Sequence, residues 1–351
     1  MQAGRPSVAI VGATGAAGGT LVRVLGERGF PAAGLRLYAS ARSAGTRVRT
    51  YLGDVEVEAL TDDALRGIDV VFFAAGAATS RRHAPRVADS GGVAVDKSSA
   101  YRMDPEVPLV VPEVNAGSLA GHHGIVANPN CVAIPLTIVL APLQRAYGLR
   151  HVTLATYQAA TGAGKGLADE LAAQTRDAAD GTEPAAHVYP HVLHGNVVPG
   201  GWPMEGADTE EEVKVIGETR RVLAAPDLRM SVTTVRVPVA VGHSAAVWVE
   251  LDAPADPDDV RALYAASPGV VVVDDPVRQQ YPTPRGVAGS DDVQVGRIRR
   301  DTGRDNGIAL FFSADNLRKG AATNAIQVAE LLLGEPPTRR SAPPPRPAAA
   351  H

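Results

Sequence analysis

The chain has one cysteine, only a small acidic excess (net charge -4), and no apolar run long enough to span a bilayer. A lone cysteine cannot form an intrachain disulfide, and such sparse use of cysteine is typical of a reducing compartment. Basic and acidic residues number 34 and 38, and this balance argues against nucleic acid or an anionic membrane surface as a partner. The apolar run near the N-terminus is too short for a signal peptide. We therefore expect a cytoplasmic protein that binds neither nucleic acid nor membrane.

Short apolar strands alternate with helical stretches in the first half of the chain. Such alternation predicts βαβ units, and hence an α/β domain with a Rossmann-like, doubly wound parallel sheet. The predicted strands are residues 8–11, 35–38, 70–73 and 93–95, and the predicted helices cover 21–25 and 82–88.

The pattern changes from about residue 149, where the strands become longer and alternate between apolar and polar residues. This change predicts a second, α+β domain with a mixed or antiparallel sheet. Residues 181–204 are rich in Pro, Gly and His and are interpreted as a long functional loop. The Pro- and Ala-rich residues 336–351 are expected to form a disordered tail. The predicted strands here are 152–158, 232–239, 245–251 and 307–313, and the predicted helices are 163–179, 256–266 and 321–333.

The single cysteine, Cys131, lies in the sequence Asn-Pro-Asn-Cys between a predicted strand at 125–127 and a helical stretch at 132–143. It should therefore lie at a helix N-terminus, where the helix dipole and unpaired N–H groups stabilise a thiolate. The alternative is that Cys131 is a small buried apolar residue. Its setting favours a nucleophile.

A glycine-rich turn with the spacing Gly-x-x-Gly-x-x-Gly follows the first predicted strand and opens the first helix. Glycines at these positions allow the backbone to approach a pyrophosphate, which the N–H groups of the helix can bind. A purely structural turn is the alternative, but the βαβ context favours a nucleotide. The residues expected to contact the nucleotide are Gly12, Thr14, Gly15, Ala16, Ala17 and Gly18.

The end of the second predicted strand indicates which nicotinamide dinucleotide is bound. An NAD site usually carries an acidic residue there, whereas residues 40–45 contain Ser40, Arg42 and Ser43 and no acid. Arg42 can pair with a 2′-phosphate or stack on the adenine, and the two serines can donate hydrogen bonds. A solvated polar turn is the alternative. We predict NADP as the cofactor, with Thr79 and Asn316 as further contacts.

Nine sequence segments occur in one order from residue 12 to residue 327. They are GATGAAGG at 12–19, SARSAG at 40–45, DKSSAYR at 96–102, VPEVN at 111–115, NPNC at 128–131, YQAATGAG at 157–164, EEVK at 211–214, VRVPVAVGHS at 235–244 and DNLRKGAATNAIQ at 315–327. Together they resemble the aspartate-β-semialdehyde dehydrogenase family. The resemblance implies NADP-dependent reductive dephosphorylation of L-aspartyl-4-phosphate to aspartate semialdehyde, in the pathway to lysine, threonine and methionine.

The resemblance assigns three residues to the chemistry. Cys131 matches the nucleophile that forms a thioester as phosphate leaves. His243 matches the general acid/base, which would take the thiol proton and later supply a proton to the oxyanion. Gln158 matches the residue that helps to orient the thioester and substrate, with a buried strand amide as the less favoured alternative.

The resemblance also assigns residues to each charged group of the substrate. Arg236 matches the arginine that binds the α-carboxylate, and Glu211 matches the carboxylate that receives the α-ammonium group. Lys214 and Arg102 match the phosphate binders, with Asn130 nearby. The run of three glutamates at 210–212 leaves open which of them faces the substrate.

The resemblance further implies a homodimer or higher homo-oligomer with two domains. We expect residues 1–130, completed by 321–335, to bind NADP, and residues 131–320 to form the catalytic and dimerisation domain. The residue after Cys131 is Val132 where the family commonly has Ser or Thr, Thr161 stands where Ser is frequent, and Ala245 stands where Glu often follows the Gly-His-Ser motif. These departures leave the exact substrate open.

Two other functions share parts of this sequence pattern. A related acyl-phosphate reductase, such as N-acetyl-γ-glutamyl-phosphate reductase, would not need an acid such as Glu211 for its N-acylated substrate. A non-catalytic nucleotide-binding paralog would not need the cysteine and histidine together. His187, His191 and His194 could suggest a metal site, but Pro190 interrupts any helix that would bring them together. We predict no metal.

Overall fold

The computed structural model describes residues 5–334, and the tail predicted at 336–351 lies outside them. A seven-stranded sheet with the order β3-β4-β2-β1-β5-β6-β7 occupies the first part of the chain. All of its pairs are parallel except β3 with β4. The strands are β1 (Ser7–Val11), β2 (Gly34–Ala39), β3 (Arg47–Thr50), β4 (Gly53–Ala59), β5 (Val70–Phe73), β6 (Val93–Asp96) and β7 (Ile125–Ala127).

Helices cover this sheet and bury its central strands on both faces. In β5, for example, all four residues are fully buried, which explains why its sequence is continuously apolar rather than alternating. The first-half helices are α1 (Ala16–Arg28), α2 (Ala77–Asp89) and α3 (Pro112–Asn115).

A six-stranded mixed sheet with the order β11-β8-β12-β15-β14-β13 follows in the second part, beside a two-stranded hairpin of β9 and β10. Strand β12 is antiparallel to both of its neighbours. The strands are β8 (His151–Tyr157), β9 (Met204–Glu205), β10 (Asp208–Thr209), β11 (Arg229–Thr233), β12 (His243–Glu250), β13 (Val270–Val272), β14 (Val293–Arg300) and β15 (Gly307–Ala314).

The helix that follows the cysteine is the centre of the second hydrophobic core. It is buried along almost its whole length and packs against the six-stranded sheet. The last helix returns to the first sheet and packs its apolar residues beside α1. The second-half helices are α4 (Ala133–Tyr147), α5 (Lys165–Ala179), α6 (Glu210–Val222), α7 (Pro257–Ala265), α8 (Pro284–Val287) and α9 (Thr323–Leu332).

The predicted fold class is confirmed, with two local corrections. The strand predicted at 232–239 ends at Thr233, because Arg236 instead forms isolated bridges with Gln158 and Val198. The helix predicted at 321–333 begins as a π-helix at Arg318–Ala322 before α9. Within residues 5–334, no helix is long and apolar enough to cross a membrane.

Candidate active site

A cavity of about 410 Å³ lies between the two sheets and collects residues from distant parts of the sequence. It is bounded by the start of α1, the segment after β6, the segment before α4, the turn after β8, the start of α6 and the π-helix. Its lining includes Gly15, Ala16, Ala17, Lys97, Arg102, Asn130, Cys131, Gln158, Thr161, Gly162, Lys165, Trp202, Glu211, Lys214, Arg236, Asn316 and Gly320.

Cys131 lies between β7 and α4, immediately before Val132 at the N-cap of α4, as predicted. The side-chain oxygen of Asn130 accepts a hydrogen bond from the Val132 N–H (2.7 Å) and thereby satisfies one N–H of the first turn. The π-helix packs closely against the cysteine, because a Cβ at Gly320 would lie 3.1 Å from the Cys131 carbonyl oxygen. Packing on both sides therefore holds the thiol at the cavity wall.

The prediction that Cys131 is a stabilised thiolate is wrong for the free protein. Burial is the largest cause that raises the pKa of the thiol, to about 11, and the negative charge of the Glu211 carboxylate is the second. Lys97, Arg102 and Arg236 act in the opposite direction but do not offset these two effects. Desolvation penalises the charged thiolate more than the nearby positive charges favour it, so the thiol is protonated at neutral pH.

Of the three adjacent glutamates at 210–212, Glu211 is the one that lines the cavity. Its carboxylate accepts hydrogen bonds from the amide nitrogens of Asn130 (3.0 Å) and Gln158 (3.2 Å). Glu210 instead pairs with Lys214 at 2.5 Å, and Glu212 closes a capping box at the start of α6. Helix geometry thus gives three adjacent glutamates three different roles.

Arg236 is almost completely buried and is held by aromatic rings rather than by a carboxylate. Its guanidinium lies 4.5 Å from the centre of the Trp202 ring and 5.9 Å from that of Tyr189, within the range of a cation–π interaction. One nitrogen donates to the Ala159 carbonyl (2.8 Å), while the buried Nε has no partner in the described structure. The guanidinium therefore retains capacity to bind an anion.

Arg102 is fixed by three hydrogen bonds. It donates to the backbone carbonyls of Asn128 (3.0 Å) and Lys97 (2.6 Å) and to the carboxylate of Glu218 (3.0 Å). Glu218 is buried, and desolvation raises its pKa. Its other oxygen accepts the backbone N–H of Asn130 at 2.5 Å, so Glu218 links Arg102 to the segment that carries the cysteine.

His243, at the start of β12, is buried behind Gly162. Its Nδ1 accepts the backbone N–H of Ala159 (2.9 Å), and its Nε2 has no partner in the part of the chain that the structure describes. Burial, with Arg236 as the second cause, holds its pKa well below the usual value. The ring is therefore neutral, and because Nδ1 is an acceptor the proton must be on Nε2.

The glycine-rich turn presents the N-terminus of α1 to the same cavity. Gly12 has φ of 87°, and a Cβ at Gly18 would clash with the Gly12 carbonyl oxygen, so neither position accepts a side chain easily. Gly15, Ala16 and Ala17 line the cavity at the first N–H groups of the helix. Asn316 accepts the Gly242 N–H (2.9 Å) and donates to Thr161 (3.0 Å) on the opposite wall.

A second cavity, of about 480 Å³, lies on the other side of the glycine-rich turn. Gly12, Ser40 and Thr79 line it, and no carboxylate is among its lining residues. Arg42 is exposed beside Ser40 and makes no ion pair with the described residues. The Thr14 hydroxyl lies 3.4 Å from that of Ser43. The glycine-rich turn thus lies between two cavities, and the residues present fit a dinucleotide.

Comparison with known proteins identifies the family. A family model described as "Semialdehyde dehydrogenase, NAD binding domain" matches residues 7–122, and one described as "Semialdehyde dehydrogenase, dimerisation domain" matches 140–319. The chain is 43% identical to the aspartate-semialdehyde dehydrogenase of Synechocystis, over 93% of this chain and 97% of that protein. For the enzyme of Aquifex aeolicus the identity is 44%, over 93% and 98%. The crystal structure of aspartate semialdehyde dehydrogenase II from Vibrio cholerae complexed with ASA matches with a TM-score of 0.91 at 39% identity, over 94% of this chain and 98% of that chain. This chain belongs to the aspartate-semialdehyde dehydrogenase family.

As a member of the aspartate-semialdehyde dehydrogenase family, the chain is an oxidoreductase that uses NAD(P). Sequence reasoning missed three residues of its candidate site: Lys97, Trp202 and Glu218. Lys97 stands in the quoted DKSSAYR segment, and its position directly after a parallel strand could have indicated it. Trp202 and Glu218 gave no such signal, because only tertiary packing brings them to Arg236 and Arg102.

Among residues 5–334, no group of three or more His, Cys, Asp or Glu side chains could hold a metal ion. His194 lies 3.2 Å from the hydroxyl of Thr175. The loop at 181–204 in this member of the aspartate-semialdehyde dehydrogenase family therefore has a role other than metal binding. That loop carries Trp202 to the buried arginine and is held by Glu170, which accepts backbone N–H groups of residues 187–189.

Proposed function

We propose that the protein is an NADP-dependent aspartate-semialdehyde dehydrogenase that converts L-aspartyl-4-phosphate to L-aspartate-4-semialdehyde through a thioester on Cys131. The observation that carries the proposal is the charge that the cavity leaves uncompensated. Glu211 is a buried carboxylate with no ion-pair partner among the described residues, and Arg236 is a buried guanidinium with none. A substrate that carries an α-ammonium and an α-carboxylate group supplies an ion-pair partner to each of them, the ammonium to Glu211 and the carboxylate to Arg236.

The nucleophilic step belongs to Cys131. Its sulfur attacks the acyl carbon, and the bond from that carbon to the phosphate oxygen breaks. Phosphate leaves with the electron pair and takes up the proton that the thiol gives up. Gln158 is positioned by Glu211 and lines the same cavity, where its amide can orient the acyl oxygen. When bound, the nicotinamide supplies the hydride that reduces the thioester to the aldehyde.

His243 acts as a proton donor, because its Nδ1 accepts the Ala159 N–H and its proton therefore lies on Nε2. Its Nε2–H is directed toward Gly162, which lines the cavity, and it can donate to an oxyanion formed on the acyl carbon. To take the proton of the Cys131 thiol, the ring would first have to lose the Nε2 proton. The contact with the Ala159 N–H therefore favours the acid role of His243 over its base role.

The preference for NADP is proposed from the second cavity. With no carboxylate there to bind ribose hydroxyls, Ser40, Ser43 and the unpaired Arg42 are available for a 2′-phosphate. Arg42→Ala should raise the KM for NADP about tenfold to a hundredfold, the effect of losing one charge-assisted hydrogen bond. The KM for NAD should change little. Arg47→Ala, at another exposed arginine in β3, is the matched control, and equal effects on both dinucleotides would contradict the assignment.

We also propose a homodimer in which residues 140–319, matched by the dimerisation-domain model, form the interface. Sedimentation equilibrium should give twice the chain mass of 36.3 kDa. The product would enter the pathway to lysine, threonine and methionine.

The deciding experiment is phosphate-dependent reduction of NADP with L-aspartate-4-semialdehyde. Activity should require phosphate and disappear in Cys131→Ala. N-acetyl-glutamate semialdehyde is the matched substrate control, because its acylated nitrogen offers Glu211 no positive charge. Turnover of that compound in preference to the aspartate compound would overturn the proposal.

A further inference from the structure

Lys97 has a fixed backbone and a side chain that lines the cavity of the cysteine. It directly follows β6, its N–H donates to the Phe73 carbonyl (3.0 Å), and its carbonyl accepts from Arg102 (2.6 Å). Its side chain is half-buried, so the ammonium group is partly removed from water.

Lys97 is also the one lysine on the cavity wall that lacks a carboxylate partner in the described chain. Lys165 pairs with Asp169 and Lys214 with Glu210, each at 2.5 Å. The guanidinium of Arg102, the other cation expected to bind phosphate, is paired with Glu218. A half-buried ammonium group without a partner is suited to an anionic ligand.

The position of Lys97 relative to the sulfur specifies which anion. Arg102 joins Lys97 to the segment that carries the cysteine, because it donates to the carbonyls of both Lys97 (2.6 Å) and Asn128 (3.0 Å). Lys97 and Arg102 therefore line the cavity beside this segment, whereas Glu211 and Arg236 are proposed to contact the amino-acid end of the substrate. In an acyl phosphate, the phosphorus is separated from the attacked carbon by one oxygen atom, so the phosphoryl group must lie close to the sulfur.

We propose that the ammonium group of Lys97 binds the phosphoryl group of the acyl phosphate, and inorganic phosphate in the reverse reaction, together with Arg102. This inference rests on the proposed function. It adds the ammonium group of Lys97, which has no carboxylate partner among the described residues, to the phosphate site that includes Arg102. Lys97 is a binding residue for the leaving group, so its loss acts on phosphate and leaves recognition of the amino-acid end intact.

The kinetic test compares Lys97→Met with the wild-type protein in the direction of semialdehyde oxidation. Methionine keeps the length of the side chain and removes its charge. The KM for phosphate should rise about tenfold to a hundredfold, while the KM for the semialdehyde stays within about twofold. Lys97→Arg should restore much of the phosphate affinity. Lys165→Met, which removes a cavity lysine that already has a partner, should leave the KM for phosphate within about twofold.

A second measurement does not depend on turnover. Inorganic phosphate should protect Cys131 from alkylation by iodoacetamide, and the concentration for half-protection should rise at least tenfold in Lys97→Met. An unchanged half-protection concentration, or an equal rise in Lys165→Met, would overturn the role of Lys97. If the wild-type protein is protected by phosphate but oxidises no aspartate semialdehyde, the proposed function fails while the phosphate site stands.

Discussion

Removing the carboxylate of Glu211 should make the Cys131 thiol more reactive in the free protein. The pKa of the thiol is raised from 9.0 to about 11 by burial and by the Glu211 carboxylate. This difference lowers the thiolate fraction near neutral pH about a hundredfold. Glu211→Gln removes the second-largest cause and keeps an amide oxygen that can accept from Asn130. We expect alkylation at pH 8 to accelerate about three- to tenfold, because burial continues to raise the pKa.

The assay is the pseudo-first-order rate of alkylation by iodoacetamide as a function of pH, followed by mass spectrometry. Cys131 is the single cysteine of the chain, so all of the signal comes from one site. In the wild-type protein the rate should rise steadily from pH 7 to beyond pH 10, since only the thiolate reacts. Glu210→Gln is the matched control: it removes the adjacent carboxylate, which pairs with Lys214 at the rim.

Two results would refute the reasoning. A wild-type rate that reaches its plateau below about pH 8.5 would mean that the helix N-terminus and nearby cations outweigh burial. Equal acceleration in the Glu210 and Glu211 variants would mean that net charge, and not the placement of Glu211 at the cavity wall, governs the thiol.

Three further predictions concern His243 and the packing around the site. Because burial holds the pKa of His243 well below its usual value, ¹⁵N NMR at pH 6.5 should show a neutral ring protonated at Nε2; a charged ring or an Nδ1–H tautomer would contradict its contacts. Gly162→Ala should lower kcat/KM at least tenfold and cost about 1–3 kcal/mol in urea unfolding, since the new Cβ would lie 2.7 Å from Arg236 Nη1 and 2.9 Å from His243 Nε2; wild-type activity would show that the wall yields. Lys319→Met should lower the free energy of unfolding by about 3 kcal/mol, because it leaves Glu113 without the buried cation 2.7 Å away; a change below about 0.5 kcal/mol would place that pair among the weak ones.

Local sequence patterns were sufficient for most of the fold. The apolar run at Val70–Phe73 and the glycine turn after β1 are properties of adjacent residues, and both form the predicted structures. The strand predicted at 232–239 was wrong in its second half because Arg236 leaves the ladder to bridge Gln158 and Val198. Those partners lie far away in the sequence, so no local pattern reports them.

The sequence by itself determined the place of Cys131 at a helix N-terminus and the family to which the chain belongs, because both depend on the order of neighbouring residues. Only the tertiary structure decided how the site is charged. The desolvation that protonates the cysteine, the choice of Glu211 among three glutamates and the lack of an ion-pair partner for Lys97 among residues 5–334 each depend on which side chains meet in the cavity. Electrostatic free energies follow distance and burial rather than sequence separation, and the packing of the two sheets sets both.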